Sequence, residues 1–141
     1  MITMSFAFRT SLRLWTRTII FNALIFGFYS ICDFGFAGVL VIVVTLIGGF
    51  LLTFPLVLLV NPIVKAVARI PYNLNGRLAS LSVLLMLLAF SFEALVAWKF
   101  GVDIFTDEDF LPFLVSTGLS IAIASWSLRN SLHQAKICGN G

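Results

Sequence analysis

Residues 78–100 read LASLSVLLMLLAFSFEALVAWKF, an apolar run interrupted by one carboxylate, Glu93, with one cation, Lys99, at its far end. A helix crossing a hydrocarbon core of about 30 Å needs about 20 mostly apolar residues, because the backbone N–H and C=O groups find no water there and must pair within the segment. This stretch meets that requirement, and so do 14–32, 36–60 and 110–128. Arg17 near the start of the first of these is accommodated by snorkelling to the headgroups on its long stem. A cleaved signal peptide is disfavoured, since basic residues extend to position 17 and no small-x-small cleavage site follows the apolar run.

The composition agrees. Of 141 residues, 60% are hydrophobic and 11% charged, whereas soluble domains carry about a quarter charged residues. The expected fold is all-α: one integral membrane four-helix bundle covering residues 1–141, with short amphipathic cytoplasmic helical segments.

Charge sets the expected orientation. The N-terminal segment, the 61–77 connection and the C-terminal tail hold Arg9, Arg13, Arg17, Lys65, Arg69, Arg77, Arg129 and Lys136 and no acid. The opposite side holds Asp33 and an acidic cluster of Asp103, Asp107, Glu108 and Asp109, with Lys99 its one cation. Lys and Arg in short loops stay on the cytoplasmic side, so both termini are expected there, in a bacterial inner membrane. The net charge of +3 then reports topology. Direct nucleic-acid binding is not expected, because no water-facing segment interleaves cations with aromatics.

Smaller features refine the plan. Arg9, Arg13 and Arg17 lie four apart and form one stripe on an amphipathic entry helix, with Trp15 in the interfacial belt. The turn CDFGFAG, 32–38, is short enough to make the first two spans antiparallel neighbours. In the second span Thr45, Gly49 and Thr53 form a small face for close helix approach, and Pro55 bends the helix. Asn61 is expected to cap a second short helix beginning at Pro62, which carries Lys65 and Arg69 and stops at Pro71. Thr106 and Asp109 read as the start of the last helix, with Pro112 in its first turn. Clustered acids there suit the helix dipole or, more sharply, a cation-collecting vestibule. The fourth span places Ser116, Ser120 and Ala124 on one face and Gly118, Ala122 and Ser125 on the next. Such close-packing faces mark it as the most buried helix or the subunit interface.

Glu93 lies about 10 Å inside the outer end of its span, counting about 1.5 Å per residue back from Phe100. An ionised carboxylate at a helix centre costs about 2.5–3.5 kcal/mol on insertion scales, so it is expected to face protein or water, or to be protonated. Ala89 and Ala97 share its face, and Ser116, Thr117 or Ser120 of the fourth span are the expected partners. The role is then either a structural tie between helices or a proton or cation site.

Catalysis is not expected. His133 stands alone, Cys32 and Cys138 fall on opposite sides, and no phosphate loop, H-E-x-x-H or nucleophile motif occurs. No metal or cofactor is expected. Small multidrug transporters carry a working Glu in their first span and four-span disulfide oxidoreductases need cysteine pairs; this chain has neither. In plan alone, without a shared motif, the short outer turns and basic inner faces resemble immunity proteins against pore-forming bacteriocins and membrane subunits of anti-phage systems. The leading expectation is a non-catalytic membrane scaffold subunit that forms a homo-oligomer and docks a cytoplasmic protein partner through its basic face, as in a multi-component defence system. The alternatives are an oligomeric pore or ion-coupled transporter using Glu93, and an immunity or lipid-sensing membrane protein.

Overall fold

The computed structural model describes residues 6–71, 73–103, 108 and 110–129. Thr106, Asp107, Asp109, His133, Lys136 and Cys138 lie outside the described residues. Among the described residues the chain is all helical, without strands: α1 (Phe6–Phe34), α2 (Ala37–Thr53), α3 (Leu56–Arg69), α4 (Leu74–Phe100) and α5 (Phe110–Ser127). α1, α4 and α5 are each long and apolar enough to cross a membrane. α2 has 17 residues, about 25 Å of helix, just short of a full crossing. Together with α3 it makes a fourth candidate span, bent by 72°.

The bend falls at Pro55, where one was expected, but it is sharp enough to divide the second span into two helices, and no new helix begins at Pro62. The span breaks at Phe54–Pro55, and α3 then runs through Pro62 to Arg69. Proline lacks an N–H and its ring clashes with the carbonyl four residues back, so Pro55 ends one helix and begins the next. Pro62 is tolerated on the exposed side of α3. Asn61 does not cap; its Oδ1 is buried with no partner among the described residues. Trp15 of α1 holds the bend. Its Nε1 donates to Thr53 Oγ1 at 2.9 Å, and its ring meets Phe50 and Phe54 edge-on at 5.1 and 5.7 Å. The expected stop before Pro71 is present: Ile70 is extended, as a residue preceding proline prefers.

α1 is continuous from the Arg stripe into the span. It packs against α2, α3 and α5, while α4 packs against α3 and α5. α1 and α2 approach closely through glycines that face large side chains. A Cβ on Gly27 would strike Ile42, one on Gly49 would lie 3.0 Å from Ile19, and one on Gly38 would run into the backbone of Ser30 and Ile31. Gly35, at φ 61°, makes the reversal between them. α4 is capped at its start by Asn73, which accepts from the Gly76 N–H at 2.8 Å, and closed by left-handed Gly101.

The starts of α1 and α4 meet the ends of α3 and α5 at one pole. There Leu14, Val64, Val67, Leu78 and Leu128 form the centre of the buried core. Arg17 crosses from α1 to the end of α5, donating to Ser127 O at 3.1 Å and Oγ at 2.7 Å. Arg77 donates to Ile70 O at 2.9 Å and closes α3. Both arginines satisfy oxygens that a helix end leaves unpaired.

Outward faces carry Leu40, Val44, Ile47 and Leu51 on α2 and Leu84, Leu87 and Leu95 on α4, all exposed. In water such rows would be an aggregation surface, but beside lipid tails they meet a solvent as apolar as themselves. Gly38→Ala is expected to lower stability by about 1–3 kcal/mol because the backbone it strikes cannot yield. Gly48→Ala, whose Cβ would enter open space, should be neutral or stabilising by up to about 1 kcal/mol. Thermal unfolding of both variants in detergent micelles checks this ordering, and equal melting temperatures would refute the close approach of α1 and α2.

Candidate functional site

Hydroxyls on a membrane helix usually satisfy themselves by bonding back to the carbonyl one turn earlier. Ser11, Thr18, Ser30 and Ser91 do so, to Ala7, Leu14, Phe26 and Leu87 at 2.7–2.9 Å. Ser120 does the same with Ser116 O at 2.6 Å. Thr117 behaves differently. Its Oγ1 donates to Glu93 Oε1 of α4 at 2.7 Å and accepts from Asn22 Nδ2 of α1 at 3.2 Å.

The bridge continues on the other side of the amide. Ser116 Oγ lies against Asn22 Oδ1 and also 2.9 Å from Phe113 O. A hydroxyl has one proton, so it donates to one of these oxygens at a time. The result is a chain of polar groups, Glu93–Thr117–Asn22–Ser116, that joins α4, α5 and α1 within their apolar lengths. Glu93 Oε2 is buried and has no partner among the described residues. What meets Glu93 is a hydroxyl, not a cation.

The residues expected from sequence thus divide. Glu93, Ser116 and Thr117 come together; Ser120 is fully buried nearby but turned to its own helix. Of the small face on α5, Ser116, Ser120 and Ala124 are buried and Gly118 and Ala122 half-buried, and the Gly118 position stacks over Phe90 of α4. Thr45, Gly49 and Thr53 are half-buried toward α1 and the space beside it. Asn22 was missed. It is an amide in the middle of an uncharged apolar run, and an uncharged polar group at that depth needs a partner as much as a carboxylate does.

Beside the bridge lies a cavity of about 550 Å³. Its walls are α2 and α4, which do not pack along each other, and its back is α1 and α5. Glu93 Oε1, Thr117 Oγ1 and Asn22 Nδ2 are engaged in the bridge and Glu93 Oε2 is buried, so the surface facing the cavity is almost wholly apolar.

At the core pole Arg9, Arg13, Lys65, Arg69 and Arg129 are exposed, while Arg17 and Arg77 are engaged in closing helices. Asp103 and Glu108 are exposed at the other pole. Among the described residues no group of three His, Cys, Asp or Glu is placed to hold a metal ion.

Among the described residues the geometry therefore defines an all-helical protein with three to four candidate membrane spans, tied together by a part-buried polar bridge. No family model, curated protein or solved structure matches the chain.

Thr117→Val, which removes the central hydroxyl and leaves the Glu93 carboxyl and the Asn22 Nδ2 without their shared partner, is expected to cost about 1–2 kcal/mol. Adding Glu93→Met to it should recover part of that loss, since replacing both partners by apolar groups is cheaper than orphaning one. Unfolding in mixed micelles measures both. A double variant weaker than Thr117→Val would show that the carboxylate contributes by some other contact.

Proposed function

We propose that this protein is a non-catalytic membrane subunit that self-associates and docks a soluble cytoplasmic partner through its basic pole, as in a multi-component bacterial system such as anti-phage defence. The observation that carries this reading is the gathering of exposed Arg9 and Arg13 of α1, Lys65 and Arg69 of α3, and Arg129 beyond the end of α5 at one end of the molecule. Cations close to a membrane end hold that end at the cytoplasmic face, and a cluster of this density complements an acidic surface. α5 uses Ser116, Ser120 and Ala124 inside the protomer, and the third and fourth spans still offer a second copy the outward rows Leu84, Leu87 and Leu95 of α4 and Leu111, Val115, Leu119 and Ile123 of α5.

Replacing Arg9, Arg13, Lys65 and Arg69 together by Gln is expected to abolish co-isolation of a stoichiometric soluble partner, with membrane insertion and melting temperature retained. Native mass spectrometry of the wild type reads partner and copy number in one measurement. Recovery of monomers alone, with no partner, would end this reading.

A second reading, an oligomeric pore or ion-coupled transporter, draws on the unpartnered Glu93 Oε2. The apolar cavity beside it weighs against a hydrated path. Proton or cation flux into liposomes that is lost in Glu93→Gln would favour it over the docking subunit; flux equal to that of protein-free vesicles would dismiss it.

A further inference from the structure

The ends of two helices mark one level across the bundle. Trp15 bonds to Thr53, the last residue of α2, and Arg17 bonds to Ser127, the last residue of α5. From that level α2, with 17 residues, α5, with 18, and α1 from Arg17 to Phe34 all extend about 25–27 Å to the other pole. That is close to the hydrocarbon thickness of about 30 Å, so in a bilayer this level falls at the boundary between acyl chains and headgroups. Trp15 and exposed Phe54 stand there, where aromatic side chains collect.

α3 leaves that level sideways. It has 14 residues, about 21 Å of helix. Turned by 72° from α2, it rises only about 6 Å along the direction of α2. The headgroup layer on each side of a bilayer is about 5–7 Å deep, so α3 stays within that depth from end to end. Arg9, on the same continuous helix as Arg17, stands about 12 Å beyond the level and reaches water.

The two sides of α3 differ. Val57, Val60, Val64 and Val67 are buried where α1 and α4 pack against it. On the opposite side Leu58, Leu59, Lys65 and Arg69 are exposed. The two cations are one turn apart and α3 contains no acid. Among the described residues this pole has no carboxylate.

We propose that α3 is an in-plane helix of the headgroup layer, with Leu58 and Leu59 set into the acyl boundary and Lys65 and Arg69 binding the phosphate of an anionic phospholipid. Paired cations at phosphate depth, on a helix whose other exposed side chains are apolar, complement a molecule that is charged at one end and apolar at the other. An acidic soluble protein would match the cations but not the leucines beside them. This lipid contact is independent of partner docking, because Arg9 stays in water whether or not α3 holds lipid.

The test uses the full chain in vesicles of phosphatidylcholine and phosphatidylglycerol. Cys32→Ser and Cys138→Ser form the background, and a nitroxide is attached to Leu59→Cys or, for comparison, to Arg9→Cys. At Leu59 collision with oxygen, which concentrates in lipid, is expected to exceed collision with a water-soluble nickel chelate; at Arg9 the order reverses. Equal chelate access at both positions would put α3 in water and overturn the proposal. Low access to both reagents at Leu59 would mean that protein covers the face, whether a second copy, a soluble partner or another segment of this chain, and would overturn it as well. Charge is read separately by native mass spectrometry of the lipid that stays on the protein. Retained phosphatidylglycerol is expected to fall about fivefold for each cation removed in Lys65→Gln and Arg69→Gln, and to be unchanged in Arg9→Gln. Retention that survives the double variant, or that falls as far in Arg9→Gln, would refute the assignment to α3.

Discussion

In a hydrocarbon surround a polar side chain cannot turn to water, so each must find its partner inside the protein. For most hydroxyls here the preceding turn of the same helix suffices. Asn22 and Glu93 have no such local solution, and their only economical arrangement is to meet across helices through Thr117. That shared hydroxyl sets α1, α5 and α4 at one relative depth, because sliding any of the three by a turn would orphan a buried amide or carboxylate. The remaining packing among these helices, small residues against larger ones, supplies proximity but little register of its own.

The second constraint is at Pro55. The bend ends α2 before it can follow α4, and it lays α3 across the basic pole, where Val60, Val64 and Val67 enter the core with Leu78 and Leu128. The molecule is consequently packed tightly at one pole and left open between α2 and α4 at the other. Trp15 is placed to hold this arrangement, since its indole bonds to Thr53 and meets Phe50 and Phe54 on the α2 side of the break. Tight core, basic rim and apolar cavity are thus products of a single interruption in one helix. The exposed cations occupy the closely packed pole.

Much of the architecture was legible in the amino-acid order. Long apolar runs with few charges dictate helices, and the run carrying Glu93 needed only the length and hydrogen-bonding rules of the bilayer. Boundaries were harder. Asn61 and Pro62 have the residue types of a helix start, yet the helix passes through them because Pro55 had already broken the chain about two turns earlier and α3 needed its valines on one buried face. Local capping preference is worth about 1 kcal/mol, less than a continuous packed face offers.

What sequence alone determined, then, was the helices: a chain with this little charge, spaced in this way, makes segments long and apolar enough to cross a membrane, with its cations gathered at alternate connections. The tertiary structure decided which polar groups pair, that Asn22 is among them, that Arg17 and Arg77 close helix ends while Arg9, Arg13 and Arg69 stay exposed, and that two spans splay to leave a cavity. The physical reason for the division is range. Hydrophobic run length and proline act within a helical turn or two of their own position, whereas a hydrogen bond between residues 22 and 117, or a gap between α2 and α4, exists only once distant segments have been placed side by side.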